Sequence, residues 1–169
     1  MTILVLSDSH GRGDNVSRAI EAAGRVDAIL FLGDGLRDVE YLCADAPIYT
    51  VRGNCDYFSS LASDAPDERI ICLGEYNILM MHGHTHSVKD TPEHAIAYAA
   101  GRGADILLFG HTHERYEAQL AEGSTVLGVE LKKPLWVMNP GSIGSSANGY
   151  SFGIITIRGK DALLSFGKI

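Results

Sequence analysis

Apolar residues come in short runs along this chain, and most runs stop at a small polar cluster. Residues 2–7 read as a strand buried on both faces, because the run is almost continuously apolar and rich in β-branched residues and leucine. Asp14 is placed to cap a helix that carries Val16, Ala19, Ile20 and Ala23 on one face and ends at Gly24. Residues 27–32 predict a second strand, Leu36, Val39, Leu42 and Cys43 a second helical stripe, and residues 48–51 a third strand. This βαβαβ order predicts a parallel sheet with right-handed crossovers.

Residues 56–67 lack periodicity and read as a loop, whereas 69–73 and 76–81 predict a hairpin turning at Gly74-Glu75. Thr91-Pro92-Glu93 opens a helix bearing Ile96, Ala99 and Ala100 that ends near Gly101 or Gly103, followed by a buried strand over 105–109. Residues 115–121, 124–131, 134–138, 151–157 and 161–166 alternate or run apolar between Gly, Lys-Pro and Asn-Pro-Gly turns, so they predict antiparallel strands. The expected architecture is α/β: two mixed sheets face to face, flanked by helices, in one domain over residues 1–169.

The polar clusters carry the chemistry. They are Asp8-Ser9-His10, Gly33-Asp34, Gly53-Asn54, His82-Gly83-His84 and Gly110-His111-Thr112-His113, each at the end of an apolar run. In an open α/β fold such ends converge on the rim where ligands bind. Asp8 and His10 lie two residues apart, which puts both on one side of an extended chain; His111 and His113 repeat that spacing and can serve different cations. Two carboxylates, an amide oxygen and several imidazoles form a donor set for divalent transition metals, two of them by number of donors.

Composition narrows the function classes. The chain is 46% hydrophobic and 21% charged, with a formal net charge of -7 and no block of Lys or Arg. That disfavours broad nucleic-acid or anionic-membrane binding, although two bound dications would locally add about +4 and offer a phosphate a positive floor. Cys43, Cys55 and Cys72 form no C-x-x-C pair, and neither a cleavable leader nor a bilayer-length apolar run is read, so a cytoplasmic location is expected.

Taken in order, D-x-H, G-D, G-N, a strand-ending His and G-H-x-H resemble the motif series of the calcineurin-like metallophosphoesterases. The Gly53-Asn54-Cys55-Asp56 variant and the Asn139-Pro140-Gly141-Ser142 loop are similar to the compact bacterial and archaeal phosphodiesterase group, which also includes the retromer scaffold subunit of eukaryotes. The resemblance implies a four-layer α/β/β/α sandwich. It also implies two divalent ions (Mn, Ni, Fe, Zn or Co), one on Asp8, His10, Asp34 and His113, the other on Asp34, Asn54, His82 and His111. Asp34 would bridge them together with a water or hydroxide that attacks phosphorus in line.

The expected substrate is a small phosphodiester, with phosphomonoesters second. A metal-binding scaffold for protein partners and a nuclease are the competing readings, and a homo-oligomer is compatible with any of them. Cys55 departs from the superfamily pattern, which has a histidine there for protonating the leaving group, and a thiol is a poorer acid for that step. His84 is the candidate substitute, His86 reads as a polar loop residue, and His94 as surface. Arg12 and Arg52 either contact substrate phosphate or pair with a nearby Asp. Asp56 is either an orienting carboxylate or a turn residue, and Tyr57 and Phe58 either wall a cleft or cover the core edge. Cys43, Cys72, Trp136 and Met138 are expected in the core, and Asn139 in a turn.

Overall fold

A computed structural model describes residues 1–145, 147 and 149–169. The first half folds as the periodicity predicts: β1 (Thr2–Leu6), α1 (Gly13–Ala23), β2 (Ala28–Phe31), α2 (Leu36–Val39) and β3 (Ile48–Thr50). β1, β2 and β3 pair in parallel. β11 (Ser151–Arg158) and β12 (Asp161–Lys168) complete this sheet on the other side of β1, in the order β12-β11-β1-β2-β3. The second sheet has the order β4-β5-β6-β10-β7, from β4 (Glu68–Leu73), β5 (Tyr76–Met81), β6 (Ile106–Leu108), β7 (Arg115–Leu120) and β10 (Leu135–Pro140). Both sheets are mixed, since β5, β6 and β10 run parallel while β4 and β7 pair antiparallel.

Alternation along the strands builds the layers. Ile3, Val5 and Leu30 of the first sheet meet Ile78, Met80, Leu108 and Met138 of the second in a shared core. The intervening Leu4, Leu6, Ile29 and Phe31 face outward against Val16 and Ala19 of α1 and Leu36 and Val39 of α2. On the far side Leu79, Met81 and Leu107 pack against Ala95, Ile96 and Ala99 of α3 (Glu93–Gly101). The result is the four-layer α/β/β/α sandwich, and it explains why β1 and β5 read as continuous apolar runs: both of their faces are buried.

Several local expectations are corrected. Residues 124–131 are not one strand but a small hairpin, β8 (Thr125–Val126) and β9 (Val129–Glu130), because Leu127 and Gly128 take φ of 48° and 79° and turn the chain. Asp14 lies in the first turn of α1 rather than capping it; the cap position is Arg12, without a side-chain cap. α2 is a single turn, so Cys43 falls beyond it and is exposed. Cys72 is exposed too, since it lies on the outward face of edge strand β4 while Ile71 and Leu73 pack inward. The stretch 56–67 includes one 3-10 turn, Ser60–Ser63, capped by the Ser59 hydroxyl. Met138 is fully buried and Trp136 packs against the core, edge-on to Tyr76 at 5.9 Å.

Leu30 is fully buried between the sheets. Leu30→Ala is expected to lower unfolding stability by about 2–5 kcal/mol, read from urea melts; a shift near zero would contradict an inter-sheet core at this position.

Candidate metal centre

Every predicted site residue follows the carboxyl end of a strand that has a parallel neighbour: Asp8 after β1, Asp34 after β2, Asn54 after β3, His82 after β5, and His111 and His113 after β6. The loops interlock through their backbones, with the Asp8 N–H donating to Gly33 O (3.0 Å), His10 N–H to Asp34 O (3.0 Å) and Gly110 N–H to His82 O (3.0 Å). Asp8 and His10 do not reach the site from an extended chain, as their spacing predicts. They have φ of 56° and 46°, Asp34 has 56°, and His111 and His113 have 68° and 60°. Among the described residues, five of the seven non-glycine positions in the left-handed region are these five. Each costs about 1–2 kcal/mol, and such strain gathers where a site needs side chains aimed against local preference.

The strained loops are held by side chains that accept or donate at their backbones. The buried Asp56 carboxylate accepts from the N–H groups of Asp34 (2.7 Å), Gly35 (2.8 Å), Leu36 (2.8 Å) and Gly53 (2.8 Å), tying the loops after β2 and β3 together. Asp56 thus closes the Gly53–Asp56 turn, its own N–H donating to Gly53 O (3.4 Å), and also orients the backbone of the neighbouring loop. The loops touch so closely that a Cβ on Gly33 would lie 2.5 Å from Gly53 N. The Asn139 amide donates to Gly110 O (2.8 Å) and Thr112 Oγ1 (3.0 Å), and Ser142 Oγ donates to Asp8 O (2.8 Å). Asp38 Oδ2 accepts from Ser9 Oγ and from Gly11 N–H (2.9 Å). Asn139 lies in β10, paired with Tyr116, rather than in a turn, and its side chain binds the neighbouring loop. Asp38 carried no signal in the sequence, because its partners are set by tertiary contact.

Two clusters result. In the first, Asp8 Oδ1 lies 3.2 Å from His113 Nε2 and 3.7 Å from His10 Nε2, and the two imidazole nitrogens are 3.1 Å apart. In the second, His82 Nε2 lies 3.4 Å from Asp34 Oδ2 and 3.2 Å from His111 Nδ1. The clusters adjoin, since His82 Nε2 is also 3.9 Å from Asp8 Oδ1. His82 is fully buried, and its Nδ1 faces Leu32 O at 2.8 Å, which turns Nε2 into the site. Asp8 Oδ1 and Asn54 Oδ1 are buried without a hydrogen-bond partner. Nitrogen lone pairs facing one another and bare carboxylate and amide oxygens form a donor set that a cation satisfies, so these residues fit divalent metal binding.

Burial alone would raise the Asp34 carboxyl, but hydrogen bonding and charge from His82, aided by the Cys55 backbone N–H, outweigh it and hold the carboxyl well below the usual range. Burial would likewise depress His82, and Asp34 and Asp8 reverse the shift upward. Burial, reinforced by His82 and Lys89, pushes His111 down to about 4, leaving a neutral imidazole. Burial, then the hydrogen bond to Asp34 and the neighbouring carboxylates, pushes the Cys55 thiol up to about 11.

An open groove of about 540 Å³ adjoins the clusters, lined by His10, Asp34, Arg37, Cys55 and Phe58 among others. Phe58 therefore walls a cleft, while Tyr57 is 76% exposed and does not cover the core edge. His84 stands with its ring centroid 5.4 Å from that of His82 and 6.1 Å from that of His111, and its Nδ1 is buried without a partner. His86 instead packs on Tyr98 (4.9 Å between centroids), and His94 is exposed. Arg52 pairs with Asp67 (2.7 Å), and Arg12 is exposed beside the first motif.

Residues 1–160 match the calcineurin-like phosphoesterase superfamily domain. The chain is similar to probable metallophosphoesterase YsnB of Bacillus subtilis (strain 168), with 30% identity over 98% of this chain and 90% of the relative. It is also similar to vacuolar protein sorting-associated protein 29 of Schizosaccharomyces pombe, with 31% identity over 88% of this chain and 75% of that protein. The crystal structure of a conserved uncharacterized protein of Streptococcus pneumoniae TIGR4, a predicted phosphoesterase, superposes with a TM-score of 0.72 at 27% identity, covering 99% of this chain and 88% of the other.

Asp56→Asn keeps the size of the side chain but replaces one acceptor oxygen with a donor among four inward N–H groups. The expected loss is about 2–4 kcal/mol of unfolding stability. Denaturant titration of the metal-free protein measures it, and wild-type stability would refute the orienting role.

Proposed function

Because the chain belongs to the calcineurin-like phosphoesterase superfamily, we propose that it is a dinuclear-metal-dependent phosphoesterase that hydrolyses small phosphodiesters and, more weakly, phosphomonoesters. The observation that carries this reading is the pair of adjoining clusters around the buried, unpartnered Asp8 Oδ1. Asp8, His10, Asp34 and His113 would hold one cation and Asp34, Asn54, His82 and His111 the other, Asp34 being shared. When bound, such ions supply Lewis-acid polarisation of a phosphoryl oxygen and lower the pKa of water. The protein's part is positioning, which dominates phosphoryl transfer. Asp56 and Asn139 keep the ligand loops in register, and the groove beside Phe58 and Arg37 receives the ester's organic part.

His84 is the group proposed to contact substrate or protonate the leaving group, since it is half-buried beside both His82 and His111. Cys55 occupies the position of the expected acid and serves that step poorly, as a thiol does. Good leaving groups are therefore favoured. The three exposed, free cysteines suit a reducing cytoplasm. Among the described residues, no helix is long and apolar enough to cross a membrane. A scaffold that binds metal and protein partners without turnover is the second reading, favoured by the likeness to the fission-yeast vacuolar protein sorting-associated protein.

With manganese or nickel added, purified protein is expected to hydrolyse an aryl phosphodiester, and Asp34→Asn or His111→Ala to reduce the rate by about a hundredfold or more. Bound metal with no turnover in any transition metal would favour the scaffold. Cys55→His is expected to raise aryl monoester turnover about tenfold or more; an unchanged rate would show that the acid at this position does not limit the reaction.

A further inference from the structure

Cys55 lies where the two clusters meet. One donor atom each of His10, Asp34 and Cys55 lies within 4.8 Å of the other two, so the thiol shares His10 with the first cluster and Asp34 with the second. Its placement is fixed by bonds: the Cys55 N–H donates to Asp34 Oδ1 (2.7 Å), and the Asn54 amide nitrogen donates to Sγ (3.2 Å). That amide orientation leaves Asn54 Oδ1 without a partner. A second, independent feature marks the same place as short of positive charge. Asp8 Oδ1 is wholly buried, lacks a hydrogen bond, and stands 3.7 Å from His10 Nε2.

We propose that Cys55 Sγ is an additional ligand of the cation held by Asp8, His10, Asp34 and His113, making that position selective for a thiophilic metal such as zinc or cobalt over manganese. The inference rests on the metal-centre reading above. On binding, the thiol proton leaves to solvent and the sulfur lone pair forms the metal–sulfur bond, so no oxidant or reductant is required. Among the motif loops Cys55 contributes the sulfur donor, and soft donors favour zinc and cobalt where oxygen donors alone suit manganese. A thiolate committed to a metal has no proton to deliver, which leaves leaving-group protonation to a group such as His84.

Cobalt substitution of the full-length protein tests this directly. Visible ligand-field bands report cobalt in the centre, and a near-ultraviolet thiolate-to-cobalt charge-transfer band reports sulfur ligation. The charge-transfer band is expected in wild type, Cys43→Ser and Cys72→Ser, and expected to vanish in Cys55→Ser with cobalt stoichiometry retained. Zinc affinity of Cys55→Ser is expected to fall at least about tenfold, the loss that even an outer partner causes, while manganese affinity stays within about threefold. Thiol titration should count three reactive cysteines in metal-free protein and one fewer after zinc loading, with peptide mapping identifying Cys55 as the protected one. Ligand-field bands without charge transfer, together with an unprotected Cys55, would overturn the sulfur ligand and leave the centre standing. No cobalt uptake by wild type would overturn both.

Discussion

Two carboxylates, Asp8 and Asp34, are buried almost completely at the seam where the two sheets meet. Charge removed from water is costly unless it is paired and hydrogen-bonded, and the surrounding structure supplies those partners. Asp8 Oδ2 accepts from Ser7 Oγ and the His111 N–H, and Asp34 Oδ1 accepts from the Cys55 N–H. Imidazoles from both sheets close in from the other side. Asp8 Oδ1 still has no hydrogen-bond partner, which leaves a residual demand for positive charge at this point.

Meeting the demand requires backbones that bend against preference. Five residues of the strand-end loops take left-handed conformations, and side chains from elsewhere bind these loops. Asp56 anchors the loops after β2 and β3, and Asn139 and Ser142 at the end of β10 anchor the loops after β6 and β1. His82 ties the second sheet to the first through Leu32 O. Together these hydrogen bonds fix where the donor atoms of the two clusters stand. At Gly110 a Cβ would meet Ser7 Oγ and Asp8 Oδ2, so the close approach of the two sheets depends on the missing side chain.

The same architecture serves proteins named for phosphoester chemistry and one named for vacuolar sorting. Fold alone therefore does not decide function; the side chains at the strand ends do. In this chain all seven donors expected from the motifs are present on those loops, six of them within one network of contacts under 4 Å. The departure is Cys55. Its thiol lies at the junction of the clusters, with His10 of one and Asp34 of the other beside it.

Periodicity by itself predicted two sheets face to face with helices outside. Strands buried on both faces read as unbroken apolar runs, and each donor's position at the end of such a run already named the rim. Local spacing failed where the outcome depends on what lies opposite. Residues 124–131 alternate like a strand but turn at Leu127-Gly128. Cys43 and Cys72 look like core residues, yet one falls beyond a one-turn helix and the other faces outward from an edge strand. Asp8-x-His10 reaches one site by curling rather than by extension. Asp56 was ambiguous and Asp38 silent for the same reason. A hydrogen bond to a distant backbone group leaves no period in the chain, so only the packing of one strand end against another could assign it.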